Sequence, residues 1–142
     1  TTTNNPILLN GTKRLLVMTE PMINYDAFIG FYGSTNLKRT REFYEGLLLL
    51  TLARNQKRCL IFRITDKAFI GFCLREGPLV NSSSSIITFV TQDVDIVYQR
   101  MRKQNIQCEG KPVLNKFFGI YHFFTSDPDG NRVEVQQFLE PL

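Results

Sequence analysis

The stretch FTSDPDGNRVE, Phe124 to Glu134, decides how the rest of the chain is read. Pro128 presets one turn dihedral and Asp129-Gly130-Asn131 tolerates positive φ, so the chain reverses here into a last strand, Arg132 to Phe138. On that strand Val133 and Val135 share one face, while Arg132, Glu134 and Gln136 share the other. If the valines pack on helices, Glu134 points into whatever the sheet encloses. The question is what a carboxylate does there.

Working outward from this strand, one order of elements occurs twice. In the first copy the run Phe28-Ile-Gly-Phe-Tyr-Gly reads as a strand. Asn36 caps a helix beginning Leu37-Lys-Arg-Thr-Arg-Glu-Phe-Tyr, and strands follow at Leu49 to Ala53, Cys59 to Ile64 and Phe69 to Leu74. In the second copy Ile86-Ile-Thr-Phe-Val-Thr is the strand and Asp93 the cap. Val94, Val97, Tyr98 and Met101 give that helix one buried face, and Asn105 is a left-handed stop. Strands around Gln107 to Val113, Phe117 to Thr125 and Arg132 to Phe138 complete it. The caps lie 57 residues apart (93 − 36), which marks an internal β-α-β-β-β duplication.

The expected fold is therefore α+β: two βαβββ modules forming a curved mixed sheet, with helices outside and a cleft inside. Residues 22–142 read as a single domain, with module one at about 27–79, a serine-rich loop at 80–85 and module two at 86–138. Residues 1–21 read as an N-terminal arm or extension, with Met18 or Met22 as alternative starts.

Composition narrows the function. With 142 residues, 43% of them hydrophobic, the chain can bury one real core. No run approaches the roughly 18 apolar residues of a membrane span, and no secretory leader pattern is visible, so a soluble cytoplasmic protein is expected. The 17 basic residues give a net charge of +4 but are spread without a nucleic-acid motif; the cluster Lys38-Arg39-Thr40-Arg41 reads as a solvated helix face. Cys59, Cys73 and Cys108 lack metal spacing and read as reduced, buried thiols. The glycosylation patterns at Asn10 and Asn81 are discounted for want of a secretory context.

Three ordered motifs then carry a resemblance. Asn36-Leu-Lys-Arg-Thr-Arg-Glu-Phe-Tyr resembles the first helix start of the glyoxalase, bleomycin-resistance and extradiol-dioxygenase family, the vicinal oxygen chelate (VOC) superfamily. Phe89-Val-Thr-Gln-Asp-Val-Asp is similar to its second helix start, and the opening stretch to its terminal signature. The resemblance spans roughly residues 27 to 138. It implies the glyoxalase fold, a homodimer and, in metal-dependent members, a metal ligand at the position of Glu134.

The other ligand positions that the resemblance supplies fall on Ile29 (or Phe28), Ile86 and Gly71. None has a side-chain donor, and a lone carboxylate does not hold a divalent cation in water. A metal is therefore disfavoured and no cofactor is expected. His122 is the single histidine and shares a strand face with Phe124. It reads either as a general base in the cleft or as a hydrogen-bonded core residue. Glu134 reads either as a ligand contact or as a structural carboxylate paired with Arg132 or a residue across the cleft. Phe124 stands where ring-cleaving dioxygenases carry a tyrosine.

The expected function is binding of a small organic molecule without metal, with Ile29, Phe31, Ile86, Phe124, Arg132 and Gln136 as ligand contacts. This resembles the antibiotic-sequestering branch, although a cationic drug favours an acidic cleft. The alternative is a lyase, isomerase or dioxygenase using Glu134 as metal ligand or base, or His122 as base. Neither nucleic acid nor membrane is expected as a partner.

Overall fold

The structure, a computed structural model, describes residues 23–80 and 84–142. In module one, β1 (Phe28–Ser34) leads into helix α1 (Leu37–Arg41), a π-helical turn (Glu42–Leu47), and then β2 (Thr51–Asn55), β3 (Cys59–Thr65) and β4 (Ala68–Leu74). Module two runs β5 (Ile87–Val90), α2 (Val94–Lys103), β6 (Val113–Asn115), β7 (Ile120–Ser126) and β8 (Arg132–Phe138). The two sheets have the same plan. The first strand pairs parallel with the last and the others pair antiparallel, giving the orders β1-β4-β3-β2 and β5-β8-β7-β6. The duplication read from the caps is thus real, as two four-stranded mixed sheets.

Alternation places the core. Phe62 and Phe72 face α1 and its π-turn, where the wholly buried Tyr44 lies with its ring centroid 4.2 Å from that of Phe72. Val133, Val135 and Phe123 are buried on the face where Val94 and Met101 of α2 are buried. The two halves merge into one apolar cluster. Tyr44 also seals the junction: its hydroxyl donates to Asp127 Oδ2 across the modules at 2.8 Å. Asp127 in turn receives the backbone N–H groups of Asp129 and Asn131, so the quoted turn is both a hairpin and a dock. Gly130, at φ 82°, supplies the left-handed position the turn needs.

Several expectations need correction. Asn36 caps α1 through its side chain, with Arg39 N–H donating to Oδ1. Asp93 stands at the N-cap position of α2 and its carbonyl accepts the Val97 N–H, but its backbone is not extended and its carboxylate makes no capping bond; the Thr91 hydroxyl accepts the Asp93 N–H. Helix one ends in a π-turn closed by Leu48 N–H to Phe43 O, followed by Leu49 at φ 61°, so β2 begins at Thr51 rather than Leu49. The strand expected over Gln107 to Val113 is broken at Gly110, leaving a bridge from Cys108 to Thr125 and the short β6. Phe117 and Phe118 sit exposed in the β6–β7 turn.

The largest correction concerns the thiols. Cys59 and Cys73 are bonded as a cross-strand disulfide between β3 and β4, leaving Cys108 as the free cysteine. A bulge at Ile64 sets this register: Thr65 pairs with Ala68, but past the bulge Arg63 pairs with Phe69 and Cys59 meets Cys73. The expectation of a reducing compartment loses its cysteine support. The 1–21 arm, Met18, Met22, Asn10, Asn81 and Ser82–Ser83 lie outside the described residues. No helix among the described residues is long and apolar enough to cross a membrane.

Candidate functional site

Each sheet has one face on the helices and one face away from them. On module two the outward face carries Phe124 and Glu134 as direct cross-strand neighbours, with His122 paired to Gln136 one step along. Thr88 of β5 flanks Glu134 on the other side. His122, Phe124, Glu134 and Gln136 floor a cavity of about 530 Å³, whose walls are Ile86, Phe118, Ile120 and Phe138, with Arg132 and Asn115 as polar edges.

Glu134 and His122 form the cavity's buried polar pair. Their side chains are each 10% exposed, and His122 Nδ1 lies 2.6 Å from Glu134 Oε1. The second oxygen of Glu134 accepts the Thr88 hydroxyl at 2.8 Å. A buried carboxylate needs such donors, because leaving it bare would cost its full desolvation. The partner of Glu134 is thus His122 with Thr88, not Arg132. The Arg132 guanidinium is held by Glu109, 2.7 Å and 3.1 Å from its two oxygens, and stacks 3.8 Å from the Phe124 ring centroid. That bond pulls the Glu109 carboxyl below its ordinary range.

The sequence-based site residues therefore separate into two groups. His122, Glu134, Phe124, Arg132, Gln136 and Ile86 gather round this one cavity. Ile29 and Phe31 do not; they lie half-exposed on the outward face of module one, although Phe31 and Arg132 together border a second recess of about 420 Å³ between the modules. Asn115, Ile120, Phe138 and Thr88 were not anticipated. Ile120 and Phe138 follow from the alternation that gave His122 and Gln136, and Thr88 lies 57 residues after Phe31 (88 − 31), its equivalent in the repeat.

The donor set does not fit the metal of the metal-dependent relatives. In module one the counterpart of Glu134 is Gly71, and the Phe31 ring lies where a side chain at 71 would start: a Cβ there would stand 2.4 Å from a Phe31 ring carbon. Ile29 and Ile86 offer no donor, which leaves Glu134, already hydrogen-bonded by Thr88 and His122, as the one carboxylate at these positions. Among the described residues no group of three His, Cys, Asp or Glu side chains is placed to hold an ion.

The profile of the Glyoxalase/Bleomycin resistance protein/Dioxygenase superfamily matches residues 25–135 of this chain. The chain belongs to that superfamily. Solved structures of this glyoxalase fold superpose over most of the molecule. A glyoxalase/bleomycin resistance protein/dioxygenase from Alicyclobacillus acidocaldarius gives a TM-score of 0.63 at 20% identity, covering 84% of this chain and 96% of that one. A lactoylglutathione lyase from Agrobacterium tumefaciens gives 0.63 at 17% identity, covering 83% and 96%. An integron cassette protein from the mobile metagenome of Halifax Harbour sewage outfall gives 0.68 at 13%, covering 79% and 97%. At these identities the likeness is one of fold. No curated protein sequence matches the chain significantly.

Proposed function

We propose that this glyoxalase-superfamily chain binds a small organic molecule on the outward face of module two, without the superfamily's metal. The observation that carries the reading is the cavity of about 530 Å³ in which Ile86, Ile120, Phe124 and Phe138 surround one buried, hydrogen-bonded His122–Glu134 pair. Apolar walls with a few fixed polar groups are what a small-molecule site needs, burial supplying affinity and the polar groups orientation. A homodimer is part of the same proposal, supported by the apolar side chains that module one leaves open at Phe28, Ile29 and Phe31.

A second reading has its own support. An imidazole oriented through Nδ1 by a carboxylate is the arrangement of a general base, so a metal-free isomerase using His122 stands as the enzymatic alternative. Binding is tested first. Chelator-treated protein titrated with 1-methylindole, followed by backbone amide NMR, is expected to shift amides of β7 and β8 around His122, Phe124 and Glu134, leaving β2 and β3 unmoved. Absence of any saturable shift on β7 and β8 would contradict the reading.

A further inference from the structure

Resting on that reading, we propose that the cavity selects a flat, neutral, apolar ligand bearing one N–H or O–H donor, which Nε2 of His122 receives. The geometry fixes the imidazole in three ways. Glu134 accepts at both oxygens, from the Thr88 hydroxyl at 2.8 Å and from His122 Nδ1 at 2.6 Å. A carboxylate only accepts, so the proton of the neutral imidazole sits on Nδ1 and the lone pair on Nε2. The ring is then held edge-on by Phe124, centroid to centroid 5.1 Å at 68°, and Phe124 is itself covered by Arg132, which Glu109 clamps. Turning the imidazole over would break the bond to Glu134.

Nε2 has no hydrogen-bond partner among the described residues, and none of their sealed-off side-chain nitrogens or oxygens lacks one. Nε2 therefore keeps contact with the space that the His122 ring lines. It is a fixed acceptor in a wall that Asn115, Arg132 and Gln136 share with apolar side chains, and a ligand that offers no donor leaves it bare. A cationic ligand fits less well, because the Arg132 guanidinium stands on the same wall. An anionic ligand would set its own acceptor against the Nε2 lone pair.

The test compares indole with 1-methylindole, which share a flat apolar frame and differ in one N–H. Amide NMR titrations are run on the wild type and on His122→Gln, with imidazole 15N shifts of the wild type read alongside. The expected result is indole binding about 10-fold more tightly than 1-methylindole, a preference lost in His122→Gln, with the proton on Nδ1 and none on Nε2. Equal affinity for both probes at the β7–β8 face overturns the donor selection while leaving the binding site standing. Failure of both to shift that face overturns the binding reading and this inference with it. A proton on Nε2 in the 15N shifts overturns the selection whatever the affinities. Should His122→Gln not fold, the wild-type probe pair and the 15N shifts decide.

Discussion

The outward faces of the two modules grew from one plan and differ most plainly at the seam where the first strand meets the last. Module two sets Thr88 beside Glu134 across the parallel β5–β8 seam; module one sets Phe31 beside Gly71 across β1–β4. In one module a carboxylate is held by hydroxyl and imidazole donors and borders a cavity. In the other the carboxylate is replaced by hydrogen, and the aromatic ring lies down over the vacated position. The same backbone register therefore gives a polar, hollow face and an apolar, filled one. Chemistry in this fold is decided by which side chain sits on the seam, not by the sheet.

The strongest way to break the comparison is to give module one the carboxylate of module two. Gly71→Glu drives a Cβ into the Phe31 ring and adds a charge with no partner, and should destabilise by about 3–5 kcal/mol in chemical denaturation. Adding Phe31→Thr, which recreates the Thr88–Glu134 pair, is expected to restore a substantial part of that loss. No restoration would mean that the two seams are not equivalent.

Module one also carries a covalent tie that module two lacks. The Cys59–Cys73 bond closes a loop of sequence separation 14, so reduction is expected to lower unfolding stability by about 3 kcal/mol. Reductant should change the denaturation midpoint of the wild type and leave a Cys59→Ser/Cys73→Ser variant unmoved.

The helices differ as well. Tyr44 and Met101, 57 residues apart (101 − 44), are the same position in the repeat, both wholly buried, but only Tyr44 has a hydroxyl to reach the other module. Burial, then the Asp127 carboxylate beside it, push its phenol well above the usual value. The folded chain thus keeps a proton that the unfolded chain releases. This contribution is fully present below about pH 10, the unfolded value, and is lost as pH rises through the folded one. Denaturation at pH 8 and pH 11 should show a smaller alkaline loss for Tyr44→Phe than for the wild type, with Tyr44→Phe about 1 kcal/mol less stable at pH 8.

The smallest effect belongs to the Arg132–Glu109 clamp at the edge of the cavity. Its side chains are 40% and 47% exposed, so Glu109→Gln should cost only about 0.2–1 kcal/mol, measurable as a slight shift in denaturation midpoint.

Much of this was legible in the sequence, unevenly. β8 was readable end to end because its turn residues and strict alternation agree, and the Asn36 cap and the buried face of α2 follow from local patterns. The disulfide was hidden because it depends on one bulge. A regular hairpin about Asp66-Lys67 would set Cys59 opposite Leu74, and only the extra residue at Ile64 brings it to Cys73. The partner of Glu134 was hidden for a related reason. Arg132 shares its strand face, but His122 reaches it diagonally from the next strand, a relation that exists only once β7 and β8 are in register. The tie between Tyr44 and Asp127 joins residues 83 apart and left no periodic trace.

The central claim, that module two holds an organic ligand without a metal, is tested most directly by calorimetric titration of zinc into chelator-treated protein, with Glu134→Gln in parallel. The account predicts no stoichiometric uptake that depends on Glu134, because its oxygens serve Thr88 and His122 and the seam of module one is filled by Phe31. One-to-one binding in the wild type, abolished in Glu134→Gln, would contradict it.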